Sequence, residues 1–137
     1  MVKAIFWNVQ GALGSDFFRY FKLMVQVQKP DIVALVEPRI NGRKADNFIR
    51  RSGFEFSYRV EANGFSYGIW VLWRPSVRLD VVAVSSQFVY GWCVDVGRRK
   101  TFFITFVYAS LNRSVRSTLW DQLRALEPVQ GTTWVLG

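Results

Sequence analysis

Lys29-Pro30-Asp31-Ile32-Val33-Ala34-Leu35-Val36-Glu37 is the stretch whose reading decides the fold. Pro30 cannot continue a helix and pushes Lys29 out of helical geometry. The unbroken Ile-Val-Ala-Leu-Val run behind it suits a strand covered on both faces, and Glu37 stands where that run stops. In open α/β sheets, ligands bind at the carboxyl ends of the strands. A hard cation such as Mg²⁺ takes few protein carboxylates and keeps much of its water, so a single glutamate at that rim is enough to matter. The competing reading is that Glu37 only marks where the strand reaches solvent.

Working outward, Val2 to Val9 is apolar and aromatic, ends with Asn8 near its close, and is followed by Gly11 and Gly14, the pattern of a first strand and a tight loop. Ser15-Asp16 offers a helix cap, and Phe17, Phe21, Met24, Val25 and Gln28 follow at helical spacing up to Pro30. After Glu37, Pro38 to Gly42 reads as a turn and Arg43 to Arg51 as a short amphipathic helix ended by Ser52-Gly53. The order so far is βαβα.

From Phe54 the signal changes to strands divided by turns: Phe54 to Val60, a turn at Asn63-Gly64, Gly68 to Trp73, a break at Pro75, Leu79 to Val84, Phe88 to Val96, a turn at Gly97-Arg98, and Thr101 to Tyr108. This predicts an antiparallel meander. In its last strand Phe102, Ile104 and Phe106 point one way and Phe103, Thr105 and Val107 the other, so both faces need cover. Ser114 is placed to cap a helix in which Leu119, Trp120, Leu123 and Leu126 share a face before Pro128, and Thr132 to Leu136 begins a further buried strand.

The 137 residues make one domain or a piece of one, and 50% hydrophobic with 17% aromatic content excludes a disordered chain. A net charge of +8, from 18 Lys and Arg against 10 Asp and Glu, suits a polyanionic partner. One cysteine excludes an internal disulfide, and with no histidine it excludes a zinc site. Cys93 reads as a small core residue in a chain suited to a reducing compartment. The amino terminus lacks a signal-peptide layout, and no apolar run reaches the roughly 18 residues of a membrane span.

Several local patterns, taken in this order, resemble the endonuclease/exonuclease/phosphatase superfamily, and within it the endonuclease domain of plant LINE-type retrotransposons. They are Trp7-Asn8-Val9-Gln10-Gly11; Lys29-Pro30-Asp31 through Glu37-Pro38-Arg39; Gly64-Phe65-Ser66 with Gly68-Ile69-Trp70-Val71-Leu72-Trp73; Phe106-Val107-Tyr108-Ala109; Arg116 with Leu119-Trp120-Asp121-Gln122-Leu123; and Trp134-Val135-Leu136-Gly137. The resemblance implies a four-layer α/β sandwich and a site at the strand ends that cleaves phosphodiesters with Mg²⁺ or Mn²⁺. It implies that Asn8 hydrogen-bonds around metal and phosphate, that Glu37 is the metal ligand, and that the Tyr108 hydroxyl orients the phosphate. Read without it, Asn8 is a turn residue and Tyr108 an amphipathic core aromatic.

Departures from the pattern shape the expectation. In the family the run at Trp134 to Gly137 continues into Asp-Phe-Asn, and a later Ser-Asp-His segment supplies a general base; here the sequence ends before the first, and no histidine is present. Gln10 and Tyr67 also depart from the usual residues. The fold class expected is therefore α/β, the amino-terminal half of a four-layer sandwich: a mixed, largely antiparallel sheet with helices on one face, and residues 1–137 as a partial domain. Its inner face, with no second sheet to cover it, is expected to drive self-association. The function expected is that of a fragment of a retrotransposon-type DNA endonuclease, inactive alone, binding Mg²⁺ weakly through Glu37, and nuclear if it acts as its relatives do. The alternatives are a non-catalytic nucleic-acid-binding module, with Arg39, Arg43 and Lys44 leading a basic cluster that includes Arg50 and Arg51, or a relic reading frame without selected activity. Arg98, Arg99 and Lys100 read as a solvated turn.

Overall fold

A computed structural model describes residues 1–9, 14–40, 42–61, 68–108, 113–125 and 133–136, the last of these as backbone alone. The elements run β1 (Ala4–Asn8), α1 (Ser15–Gln28), β2 (Ile32–Val36), α2 (Gly42–Arg51), β3 (Phe56–Val60), β4 (Ile69–Trp73), β5 (Val77–Val84), β6 (Phe88–Asp95), β7 (Lys100–Val107), α3 (Arg113–Ala125) and β8 (Thr133–Leu136). The expectations at Gln10 and Gly11, at Asn63 to Tyr67, at Ala109, Leu126, Pro128 and Gly137, and for the Trp134 side chain fall outside the described residues.

The strands form two sheets of four, ordered β1-β2-β4-β3 and β5-β6-β7-β8. In the first, β1 and β2 are parallel with α1 as the crossover, and β4 runs antiparallel between β2 and β3. In the second, β5, β6 and β7 are successive antiparallel neighbours, while β8 lies parallel to β7 with α3 between them in the chain. Both crossovers follow the rule that parallel neighbours need a long, usually helical, connection.

Alternation along the strands explains how the layers stack. Ile32, Ala34 and Val36 of β2, with Ile69, Val71 and Trp73 of β4, face Val77, Leu79, Val89, Cys93, Ile104 and Phe106 of the second sheet in one continuous core. The odd partners, Val33 and Leu35 with Trp70 and Leu72, turn outward to meet Phe17, Phe21 and Val25 of α1 and Ala45 and Phe48 of α2. Phe48 is the hub of that layer, with ring centroids 5.2 Å from Phe21, 5.6 Å from Phe18 and 5.6 Å from Trp70. On the far side, Phe88, Tyr90 and Val107 hold Leu119 and Leu123 of α3. The layers are thus helix, sheet, sheet, helix.

Four expectations are corrected. The second sheet is encoded in this chain: the break at Pro75 is not a turn within one meander but the place where the chain passes from one sheet to the other, Trp73 ending β4 and Val77 opening β5. The inner face read as bare is therefore covered, and the ground for self-association through it is gone. The helices are divided, α1 and α2 on the first sheet and α3 on the second, rather than gathered on one face. Neither hydroxyl caps its helix: Gly14 is the residue before α1, without a side-chain cap, and Ser114 lies inside α3, its carbonyl accepting from Thr118 Oγ1 at 3.2 Å. Trp120 is 47% exposed while Leu119 and Leu123 are buried, because successive helical residues point about 100° apart.

The stretch at residue 29 behaves as read. Lys29 closes α1 in the left-handed region, its N–H donating to the Val25 carbonyl at 2.9 Å, and every residue of β2 is buried. Asp31 then ties three segments together. Its Oδ2 accepts from the Lys3 amide at 2.7 Å and its Oδ1 from the Ser76 hydroxyl at 2.6 Å, and Arg74 Nε donates to the Pro30 carbonyl at 3.1 Å. The crossing between sheets is thereby fixed to the amino ends of β1 and β2. Among the described residues no helix is long and apolar enough to cross a membrane.

Candidate active site

β1 and β2 are parallel, so their carboxyl ends lie side by side, with Asn8 in register with Val36 and the Val9 amide donating to the Val36 carbonyl at 2.8 Å. The next residue is Glu37. It is 5% exposed, its amide donates to the Gly68 carbonyl at 3.1 Å, and its φ of 57° places it in the left-handed region. That region is costly for a residue with a β-carbon. The chain has to turn there to point the carboxylate inward rather than continue β2.

From the other sheet Tyr108, just past the end of β7, donates its hydroxyl hydrogen bond to Glu37 Oε1. Arg39, half exposed and also left-handed at φ 60°, brings a guanidinium nitrogen to 3.5 Å from the same oxygen. One carboxylate thus carries a phenol from the second sheet and a cation from its own loop. Gly68 makes room for this loop: at φ +96° it adopts a conformation closed to most side chains, and a β-carbon there would stand 3.1 Å from the Pro38 ring.

The structure brings Glu37, Tyr108 and Arg39 into contact and sets Asn8 on the neighbouring strand end, exposed. Arg43 and Lys44 are elsewhere, in the first turn of α2 with exposed side chains and no ion pair to Glu37. The Arg98 to Lys100 turn is exposed, beside Met1, Val2 and Ala4 at the amino end of β1, the far end of the sandwich.

Gln87 is a residue that sequence reasoning missed. It is buried at 3% exposure, its carbonyl accepts from the Tyr108 amide at 2.7 Å, and its side-chain Nε2 donates to the Val115 carbonyl in α3 at 2.7 Å. It therefore fixes the backbone from which the Tyr108 hydroxyl reaches Glu37. In the sequence it closes Ser85-Ser86-Gln87, which reads as a polar turn between strands, and nothing in that pattern marks a buried amide.

Among the described residues no three Asp, Glu, Cys or His side chains gather into a metal-binding group. Glu37 is a single carboxylate, within the one or two that Mg²⁺ takes when waters and substrate phosphates complete its shell. Oε1, however, already faces a guanidinium. The set fits one anchoring ligand and not a preformed cage.

No family profile matches the sequence, and no curated protein does. Solved structures do match. D. rerio TDP2, in a complex with a single-strand DNA product, superposes with a TM-score of 0.66 at 15% identity over 98% of this chain and 58% of that one. The catalytic domain of human nocturnin, with a bound sulfate, gives 0.63 at 14% identity over 98% and 63%. The AP endonuclease LMAP of Leishmania major gives 0.56 at 16% over 79% and 40%. The chain spans less than two thirds of the length of each. At these identities the likeness is one of architecture, and the architecture is that of the endonuclease/exonuclease/phosphatase fold.

Proposed function

We propose that this chain is part of a phosphodiester-cleaving nuclease domain of LINE retrotransposon type, which holds a nucleic-acid strand at the Asn8, Glu37 and Tyr108 rim and does not hydrolyse it alone. The observation that carries the reading is the meeting of Tyr108 with Glu37 across 71 residues of sequence and two sheets. A buried acid held by a phenol, with an amide on the adjacent strand end, suits the holding of a cation beside a phosphate and is of no use to a packing core. The fold, shared with structures that include an AP endonuclease and a DNA-bound TDP2, supports it.

A divalent cation at Glu37 would polarise a phosphoryl oxygen and stabilise a leaving oxyanion. The chain's own residues do less. Glu37 supplies a fixed negative charge, Tyr108 spends its one O–H on holding that carboxylate in place, Asn8 supplies a neutral amide where phosphate charge would develop, and Arg39 supplies a cation that can pass from the carboxylate to a phosphate. No imidazole exists in the sequence to act as general base. We place the acids that would complete the site in a segment beyond these residues, in keeping with the 58% and 63% coverage of TDP2 and nocturnin. With it we place action on DNA, dependence on Mg²⁺ or Mn²⁺, and a nuclear location.

A plasmid-nicking assay with Mg²⁺ or Mn²⁺ tests this. The expected result is no nicking above background, because groups that act as a unit leave little when several are missing. Nicking that vanishes in Glu37→Ala would overturn the inactivity. Failure to bind oligonucleotide at low salt would overturn the function.

A further inference from the structure

On the outer helical layer, away from the Tyr108 contact, α1 and α2 enclose an open cleft of about 410 Å³ lined by Ser15, Phe18, Ile40, Lys44, Asn47 and Arg51 among others. Lys44, Asn47, Phe48 and Arg51 follow the i, i+3, i+4, i+7 spacing that puts them along one face of α2. Phe48 is buried as the hub of the helical core. The stripe therefore leaves two cations and an amide at the wall of the cleft. The Arg51 guanidinium lies 4.2 Å from the centroid of the half-buried Phe18 ring, and Lys22 approaches the same ring at 5.9 Å. Among the described residues Lys44 has no ion pair or hydrogen bond. Asn47 spends only its carbonyl oxygen, which accepts from Arg50 at 2.7 Å.

Among the described residues no carboxylate lines the cleft. The two nearest in sequence are engaged elsewhere, Asp16 with Arg19 at 3.1 Å and Asp46 with Arg59 at 2.7 Å. Two turns of helix separate Lys44 from Arg51, about 10 Å, too far for one small anion to touch both. A polymer of phosphates can span them. Ile40 also lines the cleft and stands three residues after Glu37 in the chain, so one short segment leads from the strand-end carboxylate to the cleft.

We propose that this cleft carries the backbone of a single-stranded nucleic acid away from the Glu37 rim, with successive phosphates on Lys44 and Arg51 and the Asn47 amide between them. The inference rests on the reading of the rim as a nucleic-acid site and extends it onto the helices. A lysine without a partner among the described residues, beside an arginine held over an aromatic ring, makes a basic track of the kind that sequence-tolerant strand binding follows.

The test is fluorescence anisotropy of a labelled single-stranded oligodeoxynucleotide, titrated with the whole chain across a series of KCl concentrations. Each phosphate contact to a single strand contributes about 0.7 to the slope of log affinity against log salt, equivalent to about five-fold in affinity at 0.1 M salt. Lys44→Ala and Arg51→Gln are each expected to lose that much, and the double variant to flatten the slope by about 1.4. Lys44 is exposed and makes no ion pair or hydrogen bond among the described residues, so its variant stays folded even if loss of the Arg51 stack disturbs α1. Arg51→Lys, which keeps the charge, is expected to keep the slope. If Lys44→Ala and Arg51→Gln bind as the parent does while Arg39→Ala weakens binding, the cleft proposal fails and the rim reading stands. If the parent binds no oligonucleotide at low salt, both fail. A loss of affinity without change of slope would show a structural effect and also overturn the proposal.

Discussion

β2 and β5 sit on opposite sides of the same core and were made by different solutions to the same problem. All five residues of β2 are buried, because helices α1 and α2 cover one face and the second sheet the other. β5 alternates, with Val77 and Leu79 buried and Arg78 and Asp80 exposed, and toward its end Val82 and Val84 lie largely in solvent. It is an edge strand, it carries a bulge between Val81 and Ala83, and among the described residues one helix, α3, packs on the outer face of its sheet. A bulge and interspersed charges are the usual protection of an exposed edge. The difference teaches that the first sheet is the rigid frame of the site, while the second delivers Tyr108 to it from a less fully covered layer.

The comparison breaks if the two helical cores prove equally costly to damage. Trp70→Ala removes a fully buried indole from between β4 and Phe48 and is expected to cost about 3–5 kcal/mol. Leu123→Ala, on the buried face of α3 at 8% exposure, should fall near the lower end for its type, about 2 kcal/mol. Urea unfolding of both variants measures the gap, and equal losses would show that α3 is packed as firmly as α1 and α2.

Between the sheets, Cys93 reports on the shared core. Burial first, then the nearby carboxylates of Asp95 and Asp31, push its thiol from 9.0 up to about 11. The folded state therefore keeps a proton that the unfolded chain gives up. The stabilisation is complete below pH 9 and is lost as pH rises toward 11, to the extent of about 2 kcal/mol. Unfolding midpoints in urea across that range should fall in the parent and less in Cys93→Ala. Rapid labelling of Cys93 by a thiol reagent at pH 8 would mean that the sheets open readily.

The smallest effect sharpens the picture of the second sheet. Thr105 is buried, with a hydroxyl that has no partner among the described residues, on the β7 face opposite Ile104 and Phe106. Thr105→Val removes an unsatisfied polar atom at nearly constant volume and is expected to stabilise by about 1 kcal/mol, read from the same unfolding curves. A loss instead would mean that the hydroxyl is satisfied.

The frame was more legible than the layer around it, for physical reasons. A strand buried on both faces writes itself as an unbroken apolar run, so β2 and β4 stand out, and the alternation of β7 correctly divided Ile104 and Phe106 from Phe103 and Val107. The passage between sheets was not legible. A proline between two strands looks the same whether the second strand returns beside the first or leaves for another layer, and long-range packing makes that choice. The fate of Ser15 and Ser114 depended on shifts of one and two residues in helix starts, which local capping signals do not fix. At the site, Glu37, Asn8, Tyr108 and Arg39 could be named from local patterns and a resemblance. The contact of Tyr108 with Glu37 arises only once both sheets are in place, and the bracing of Tyr108 by Gln87 only once α3 has packed on the second sheet.

Because the chain crosses between sheets once, at Arg74 to Ser76, each sheet is built from its own uninterrupted stretch, and this gives the molecule a vulnerable interval during synthesis. Once residue 73 has emerged from the ribosome, β1 to β4 with α1 and α2 can assemble, leaving Ile32, Ala34, Val36, Ile69, Val71 and Trp73 facing water. At translation rates of about 5–20 residues per second, the remaining strands follow over about 3–13 seconds. A surface that is dry in the finished protein is thus wet in the nascent one, long enough for a chaperone to find it. Chains ended after Ser76 should bind a hydrophobic dye that the whole chain excludes; equal dye binding by the two would show that the first sheet does not form until the second has arrived.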